Sequence, residues 1–420
     1  MLPIIFRGHQ DPGCFAHALG HHEGRELLHV LSGNQRNSDA HYACIVPVRD
    51  YWRMSSDLAA QQNNWHYSAG LEPEIIADTK AGRALIVFDL SNEGPDYWPP
   101  VFDELYQWIE RNCLPPGRVV WLAQNRALEE HARTVSGGRS ALVHFEYYDF
   151  FLKMIAWVFS PRASVNDQIY GNDPERAITQ LLSPDSKHNL LLCLNATPRL
   201  QRILAVAALL NHNLLDKSLV SFAGFDYAKP GTTVESAIDF VTSHAELTYL
   251  SSDIRTLASL DTLVVDAFAE KGNDLIAKID PRVYEHTYFS LVTESDFSDG
   301  AMDRITEKTA KAFCLGHPAL VVGNPKSITH MTQLGFQDWD GVIDRSYEAV
   351  MDPAQRFAAV FSEVLRQVDC IQADPVTWLG RTREVGMWNI RHAFRGGMLS
   401  RYIALYDVPI VDRFRSLIGI

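Results

Sequence analysis

The chain alternates between short, continuously apolar segments and longer segments whose apolar residues recur at helical spacing. Continuously apolar runs are typical of parallel strands that are buried on both faces of a sheet, and the longer segments are typical of amphipathic helices. In the first part of the chain, strands are predicted at residues 3–6, 83–90, 118–122 and 140–147, and helices at 99–112, 129–135 and 149–158. The mixed pattern that begins at residue 23 gives no clear element before residue 83. Alternating strands and helices predict a Rossmann-like α/β domain.

The second part of the chain repeats this alternation. Strands are predicted at residues 189–194, 218–222, 262–266, 287–293 and 319–322, and helices at 200–211, 306–316 and 327–334. Beyond them, Asp352 and Pro353 predict a helix start, because Asp suits the N-cap position and Pro the first helical position. The remaining tail mixes arginines with aromatic residues and is also predicted to be helical.

This pattern predicts an α/β protein of two Rossmann-like domains with a helical C-terminal tail. The first domain is expected at residues 1–160, and a segment at 161–186 that is rich in Pro, Asn and Gly is the expected linker. The second domain is expected at residues 187–350, and the helices of residues 351–420 are expected to pack back on the body.

The start of the helix at residues 306–316 suggests a binding site. Amide N–H groups without helical partners and the positive end of the helix dipole favour anions there. Glu307 suits that position, whereas Lys308 has the wrong sign, and a bound phosphate would remove the conflict. The alternative is a solvated lysine that pairs with an aspartate of the preceding loop.

Two arginines mark a second helix start of the same kind. Arg199 and Arg202 lie at or just inside the beginning of the helix predicted at residues 200–211. An anion would be stabilised there as well. The alternative is an exposed basic turn.

Composition and charge narrow the classes of function. The 420 residues are 46% hydrophobic and 21% charged, as in ordinary globular proteins, and suffice for two or three domains. A formal net charge of −13 argues against nonspecific nucleic-acid binding, which needs a basic surface. Because the C-terminal tail is rich in arginine, a protein that acts on nucleic acid is retained as an alternative function.

Membrane and metal partners are not expected. No apolar run approaches the roughly 18 residues of a membrane-spanning helix, since Lys153 interrupts the longest one. The chain begins in a predicted strand rather than in a signal-peptide pattern, and its six cysteines are scattered, so a reducing, cytoplasmic setting is expected. His21 and His22 are adjacent and lack a carboxylate at ligand spacing, so no metal is expected.

The segment from residue 288 to residue 325 resembles the donor-binding signature of the α1,3-fucosyltransferases and related GT-B glycosyltransferases. In that family a Phe-Glu-Asn-Ser-like turn, a Thr-Glu-Lys helix start and a Gly-x-x-Pro-Val-Val strand follow one another. The matching residues here are Phe289, Glu294, Ser295, Thr306, Glu307, Lys308, Gly316, Pro318, Val321 and Val322. Ser295 stands where the family has Asn, and no Tyr precedes Thr306. These departures leave open which sugar the donor carries. A sugar nucleotide is still the expected donor.

The resemblance implies a GT-B enzyme, in which two Rossmann-like domains face a cleft. It implies an inverting transfer of a sugar from a nucleoside diphosphate sugar to a hydroxyl acceptor, without a cofactor. The donor-binding residues that it implies are Arg199, Arg202, Glu294, Ser295, Thr306, Glu307 and Lys308. Among these, Glu294 would bind the ribose, Glu307 and Lys308 would hold the ribose and the diphosphate, and Arg202 would reach the phosphates.

The general base is expected in the first domain, in a loop that follows a strand. Asp11 is favoured, His9 and Glu93 are further candidates, and Glu146 is a fourth. Each of them is equally compatible with a structural role. Two other functions stay open: a transferase that uses a UDP- or CMP-linked sugar, and a nucleotide- or glycan-binding protein that retains the fold without the chemistry.

Overall fold

A computed structural model of the protein describes residues 1–6, 15, 18–19, 27–30, 40–48, 71–164, 169–226, 231–260, 262–263, 265 and 279–420. The chain divides into two compact units. The first unit comprises Met1–Lys153 and Tyr402–Ile420, and the second comprises Met154–Arg401. Each unit contains a sheet of parallel strands, which confirms the predicted α/β class and is compatible with the two Rossmann-like domains predicted from the sequence.

The first unit is built on a six-stranded parallel sheet with the order β2-β1-β3-β4-β5-β6. Its strands are β1 (Leu2–Phe6), β2 (Leu28–Val30), β3 (Tyr42–Pro47), β4 (Ala84–Leu90), β5 (Val119–Ala123) and β6 (Val143–Tyr147). Its helices are α1 (Pro73–Lys80), α2 (Pro99–Arg111), α3 (Leu128–Val135) and the start of α4 (Phe150–Val158). Every residue of β4 and β5 is buried, which explains their continuously apolar sequences.

The second unit is built on a four-stranded parallel sheet with the order β10-β9-β7-β8. Its strands are β7 (Asn189–Leu194), β8 (Leu219–Ser221), β9 (Thr287–Thr293) and β10 (Ala319–Val322). Its helices as far as residue 333 are α5 (Pro174–Leu181), α6 (Leu200–Asn211), α7 (Val234–Thr242), α8 (Ser251–Leu257), α9 (Pro281–Glu285), α10 (Glu307–Cys314) and α11 (Ser327–Gln333). The later helices are α12 (Pro353–Ala373), α13 (Pro375–Phe394) and α14 (Gly397–Tyr402).

The topology of the second sheet places its strand-end loops in a definite order. The chain leaves β7 through α6 and forms β8 on one side, but β9 joins the opposite side of β7 and leads through α10 to β10. The loops that follow β7 and β9 therefore emerge side by side at the point where the strand order reverses. In open α/β sheets, ligands bind at this topological switch point.

Some predicted elements differ from the structure. Of the strand predicted at residues 262–266, the structure describes only residues 262, 263 and 265, and Leu263 makes an isolated antiparallel bridge with Phe222. The strands β2 and β3 were not predicted, because they lie in the segment whose pattern was mixed.

The expected linker at residues 161–186 is part of the second unit and contains α5. Asp173 caps this helix by accepting from the amide of Glu175 at 3.0 Å, and Pro174 is its first residue. The helix buries Ala177, Ile178 and Leu181. Asp173 and Pro174 are thus helix-start residues inside the expected linker. The two units divide earlier in the chain, inside α4 at Lys153.

The C-terminal tail is helical as predicted, but its last part belongs to the first unit. Tyr402–Ile420 contains a π-helical turn at Ile403–Asp407 and the helix α15 (Val408–Ile418). Inside this turn, Asp407 pairs with Lys153 and accepts a hydrogen bond from the Tyr148 hydroxyl at 2.9 Å. The side chains of Lys153 and Asp407 are almost fully buried.

Candidate functional site

The carboxylate of Glu294 lies at the carboxyl end of β9 and is surrounded by protein groups. Its Oε2 accepts a hydrogen bond from Thr306 Oγ1 at 2.5 Å, and its Oε1 accepts one from Thr309 Oγ1 at 2.5 Å. Glu294 is only 1% exposed. Gly323 packs directly against it, since a Cβ at residue 323 would lie 2.9 Å from Glu294 Cβ. The position of this carboxylate is therefore fixed.

The helix α10 begins beside this carboxylate. Thr306 is the N-cap residue, and its hydroxyl accepts from the amide of Lys308 at 3.5 Å. Lys308 Nζ lies 3.1 Å from Thr306 Oγ1 and 3.1 Å from Glu307 Oε1. Burial favours the neutral form of Glu307, but the ammonium groups of Lys308 and Lys311 outweigh it and lower the pKa of Glu307 to about 2. Glu307 is thus ionised at neutral pH.

The start of α6 contributes two guanidinium groups to the same edge of the sheet. Arg199 is exposed, and its Nη1 donates to the carbonyl oxygen of Ser295, the residue after Glu294. Arg202 is buried at 4% exposure, and its Nη1 donates to the carbonyl oxygen of Thr197 at 3.0 Å. Burial, together with the charge of Arg199, lowers the pKa of Arg202 to about 10, and Glu307 and Glu294 oppose this shift. Arg202 thus keeps its charge at neutral pH.

The loop between β9 and α10 is fastened to the end of β10. Asn324 Oδ1 accepts hydrogen bonds from the amide and the hydroxyl of Ser298, each at 3.0 Å. Arg356 of α12 donates to the carbonyl oxygens of Ser298 at 2.5 Å and of Gly323 at 2.9 Å. Within the loop, Arg304 pairs with Asp296. These contacts hold the loop in one arrangement next to Glu294.

The structure brings together the residues predicted to bind the donor. Hydrogen bonds link Arg199 to Ser295, Glu294 to Thr306, and Thr306 to Lys308, while Lys308 pairs with Glu307. Arg202 lies close enough to Glu294 and Glu307 for their charges to act on it. Residues that are about a hundred positions apart in the sequence thus form one cluster at the switch point. We call this set of seven residues the cationic cluster (Arg199, Arg202, Glu294, Ser295, Thr306, Glu307 and Lys308). The positive charge of its three cations and two helix starts exceeds the negative charge of its two carboxylates.

The candidates for a general base do not form such a cluster among the described residues. Asp11 and His9 lie outside the described residues, as do His21 and His22. Glu93 lies after β4 in the first unit, where its amide donates to the carbonyl oxygen of Leu90 at 2.8 Å. Glu146 pairs with Arg413 at 3.0 Å in the same unit, and burial raises its pKa despite the charge of Arg413.

Sequence reasoning missed several residues that build the site. Gln201 donates to the carbonyl oxygen of Glu294 at 2.5 Å, and Thr309 holds the carboxylate of the same residue. Thr309 follows Thr306 by three positions, a spacing that places both on one face of a helix. Gly323 directly follows a predicted strand, which is a signal for close backbone approach. Nothing in the sequence indicated the role of Arg356.

No protein-family model, no curated protein and no solved structure matches this chain. In the part of the chain that the structure describes, no helix is long and apolar enough to cross a membrane. Within the same residues, no group of three or more His, Cys, Asp or Glu side chains is arranged to hold a metal ion.

Proposed function

We propose that this protein is a GT-B-type glycosyltransferase. It transfers a sugar from a nucleoside diphosphate sugar, with a GDP-sugar favoured, to a hydroxyl group of a glycan or another acceptor. As the resemblance to the α1,3-fucosyltransferases implies, the reaction inverts the anomeric centre and needs no metal ion. A UDP- or CMP-linked sugar is the alternative donor.

The observation that carries this proposal is the buried guanidinium of Arg202. Among the described residues no carboxylate lies within ion-pair distance of it, and its Nε has no hydrogen-bond partner. A buried charge without a counter-ion is costly, and the cost falls when a counter-ion binds. Arg202 lies at the switch point of the sheet, near enough to Glu307 at the start of α10 for the charge of Glu307 to act on it. A diphosphate is the ligand that Arg202, Lys308 and this helix start favour.

The same groups suit the chemistry of sugar transfer. When a nucleoside diphosphate leaves the anomeric carbon, negative charge grows on its terminal phosphate. Arg202, Lys308 and the amide groups at the start of α10 are already oriented, so they stabilise that charge without reorganising. The acceptor hydroxyl loses its proton to a general base. Asp11 stays the favoured candidate for this base, with His9 and Glu93 as further candidates.

A ligand screen followed by an activity assay tests the proposal. Thermal unfolding is measured with GDP, UDP, CMP and ADP, and with guanosine as the control that lacks phosphate. We expect the diphosphates to raise the melting temperature and GDP to raise it most, since a ligand stabilises the state that it binds. Guanosine should have little effect.

Hydrolysis of a panel of sugar nucleotides then separates an enzyme from a binding protein. Slow release of the nucleoside diphosphate from one donor supports the transferase. Binding without release of any product indicates a nucleotide-binding protein of the same fold. No stabilisation by any diphosphate, together with salt-dependent affinity for DNA, contradicts the proposal and favours the nucleic-acid alternative.

A further inference from the structure

The hydroxyl of Thr306 is the meeting point of the two charged groups at the centre of the cationic cluster. Its oxygen lies 2.5 Å from Glu294 Oε2 and 3.1 Å from Lys308 Nζ. Glu294 comes from the end of β9, whereas Lys308 belongs to the first turn of α10. The link between the carboxylate of Glu294 and the ammonium of Lys308 therefore passes through one side-chain oxygen.

The chemistry of the three groups fixes the direction of both hydrogen bonds. An ionised carboxylate only accepts, an ammonium only donates, and a hydroxyl donates one proton and accepts on its lone pairs. Thr306 must therefore direct its proton to Glu294 and its lone pairs to Lys308. Since a rotating hydroxyl would otherwise sample other directions, Glu294 holds the acceptor side of Thr306 towards the ammonium.

The surroundings of Glu294 indicate that its carboxylate acts on the protein. One oxygen is bound by Thr306 and the other by Thr309, both at 2.5 Å, and the amide of Ser295 lies 3.3 Å from Oε2. A Cβ at residue 323 would lie 2.9 Å from Glu294 Cβ, so Gly323 packs closely against the aliphatic part of this side chain. A carboxylate at 1% exposure with both oxygens engaged is poorly placed to bind a ribose hydroxyl.

We propose that Thr306 is a positioning residue that orients the ammonium of Lys308 towards the diphosphate, and that Glu294 acts through Thr306 rather than by contacting the ribose. This inference rests on the proposed function and assigns different roles to residues of the same site. Lys308 Nζ has three protons, of which Thr306 and Glu307 accept two, so the third is directed by these contacts. This third proton is available to donate a hydrogen bond to a phosphate oxygen of the ligand.

Inorganic pyrophosphate is the probe that separates the two roles, because it carries the charge without a ribose. We expect Thr306→Val to lower the affinity of the protein for pyrophosphate about tenfold, the loss typical of a misplaced charged hydrogen bond. Thr309→Val is the matched control: it removes an equally short hydrogen bond to Glu294, but that hydroxyl has no hydrogen bond to Lys308. The affinity of Thr309→Val for pyrophosphate should fall several-fold less than that of Thr306→Val, because the hydrogen bonds from Thr306 to Glu294 and from Lys308 to Thr306 stay in place.

Two further comparisons test whether Thr306→Val acts only through the structure of the helix start: the variant Thr306→Ser, and Thr306→Val combined with Lys308→Ala. Serine keeps the hydroxyl and the helix cap, so its affinity should return to near the wild-type value. In Lys308→Ala, the further change Thr306→Val should have almost no effect on pyrophosphate binding, because the group that it positions is gone. Equal losses in the Thr306→Val and Thr309→Val proteins, or full additivity with Lys308→Ala, would overturn the inference.

Glu294→Gln provides a second test that does not depend on the folding of Thr306→Val. The ratio of the affinities for GDP and pyrophosphate should stay within about twofold of the wild-type ratio, since the ribose is not a partner of Glu294. A selective loss of GDP affinity would assign Glu294 to the ribose and contradict the inference, while leaving the proposed function intact. If the wild-type protein binds neither ligand, the proposed function itself fails.

Discussion

Two buried arginines of the second unit differ in their surroundings. Arg356 is 1% exposed, and it donates to the carbonyl oxygens of Gly323, Val350, Met351 and Ser298. Arg202 is 4% exposed, and Thr197 is its hydrogen-bond partner among the described residues. Burial lowers the pKa of each guanidinium to about 10, so both stay charged at neutral pH. Arg356 is thus satisfied by the fold, whereas Arg202 lacks a counter-ion among these residues.

Replacing each of these arginines by methionine should have opposite consequences. Arg202→Met should leave the free energy of unfolding unchanged or raise it, because a poorly compensated buried charge is removed. It should also lower the affinity for pyrophosphate by about tenfold or more. Arg356→Met should lower the free energy of unfolding by about 2–4 kcal/mol, because buried carbonyl oxygens lose their donors.

Urea unfolding measures the free energy of unfolding of both variants, and calorimetric titration measures their affinity for pyrophosphate. If Arg202→Met is as destabilising as Arg356→Met and binds pyrophosphate normally, then Arg202 is a structural residue. The cluster would in that case lose its buried cation as a ligand-binding group.

At the residue scale, the sequence predicted the members of the cluster but not their environments. Helix starts are visible in the sequence, so Arg199 and Lys308 could be placed where anions bind. The burial of Arg202 depends on how α6 packs against the sheet, which the local pattern does not contain. The hydrogen bonds from Thr306 and Thr309 to Glu294 likewise depend on the distance between β9 and α10, which the local sequence does not contain.

At the scale of elements, agreement is best where one local signal dominates. The strands β7, β9 and β10 and the helix α6 have the predicted bounds, because their apolar runs end at polar loops. Gly316 lies just beyond the end of α10 with φ +62°, the left-handed conformation that glycine adopts most readily. Agreement is poorest where Asp173 and Pro174 start a helix inside an apparent linker.

Two glycines allow the end of α10 to contact α13. A Cβ at residue 386, in the middle of α13, would lie 2.8 Å from the carbonyl oxygen of Gly316. We expect Gly386→Ala to lower the free energy of unfolding by about 1–3 kcal/mol, since backbone cannot move as a side chain would.

Gly380→Ala is the matched control, because residue 380 lies in the same helix and a Cβ there would meet no atom within 4 Å. This change should raise the free energy of unfolding by about 0.5–1 kcal/mol, the difference in helix propensity between alanine and glycine. Thermal unfolding measures both variants. Equal effects of the two changes would contradict the packing of α10 on α13.

At the scale of the whole molecule, the chain returns to its first unit after completing the second. The buried pair of Lys153 and Asp407 joins the π-helical turn before α15 to the start of α4, both within the first unit. The sequence predicted a helical tail, but not the unit to which its end belongs. Lys153 interrupted an apolar run and was visible in the sequence, but its partner lies 254 positions away.

Breaking this buried pair should destabilise the first unit. We expect Asp407→Ala to lower its free energy of unfolding by about 3–5 kcal/mol, because Lys153 stays buried without its counter-ion. Asp412→Ala, which removes an exposed pair with Arg415 in α15, should change it by less than about 1 kcal/mol. Limited proteolysis and thermal unfolding report the difference. Similar stability of the two variants would show that the pair does not anchor the C-terminal segment.

The binding of GDP to the wild-type protein and to Lys308→Ala tests the central claim most directly. Lys311→Ala serves as the control, because this lysine belongs to the same helix but lies beyond its first turn. Isothermal titration calorimetry should show that GDP binds to the wild-type protein and to Lys311→Ala with similar affinity. The affinity of Lys308→Ala should be about thirtyfold lower, a loss of ~2 kcal/mol. Equal affinity of all three proteins for GDP, or no binding to the wild-type protein, would contradict a diphosphate site at the start of α10.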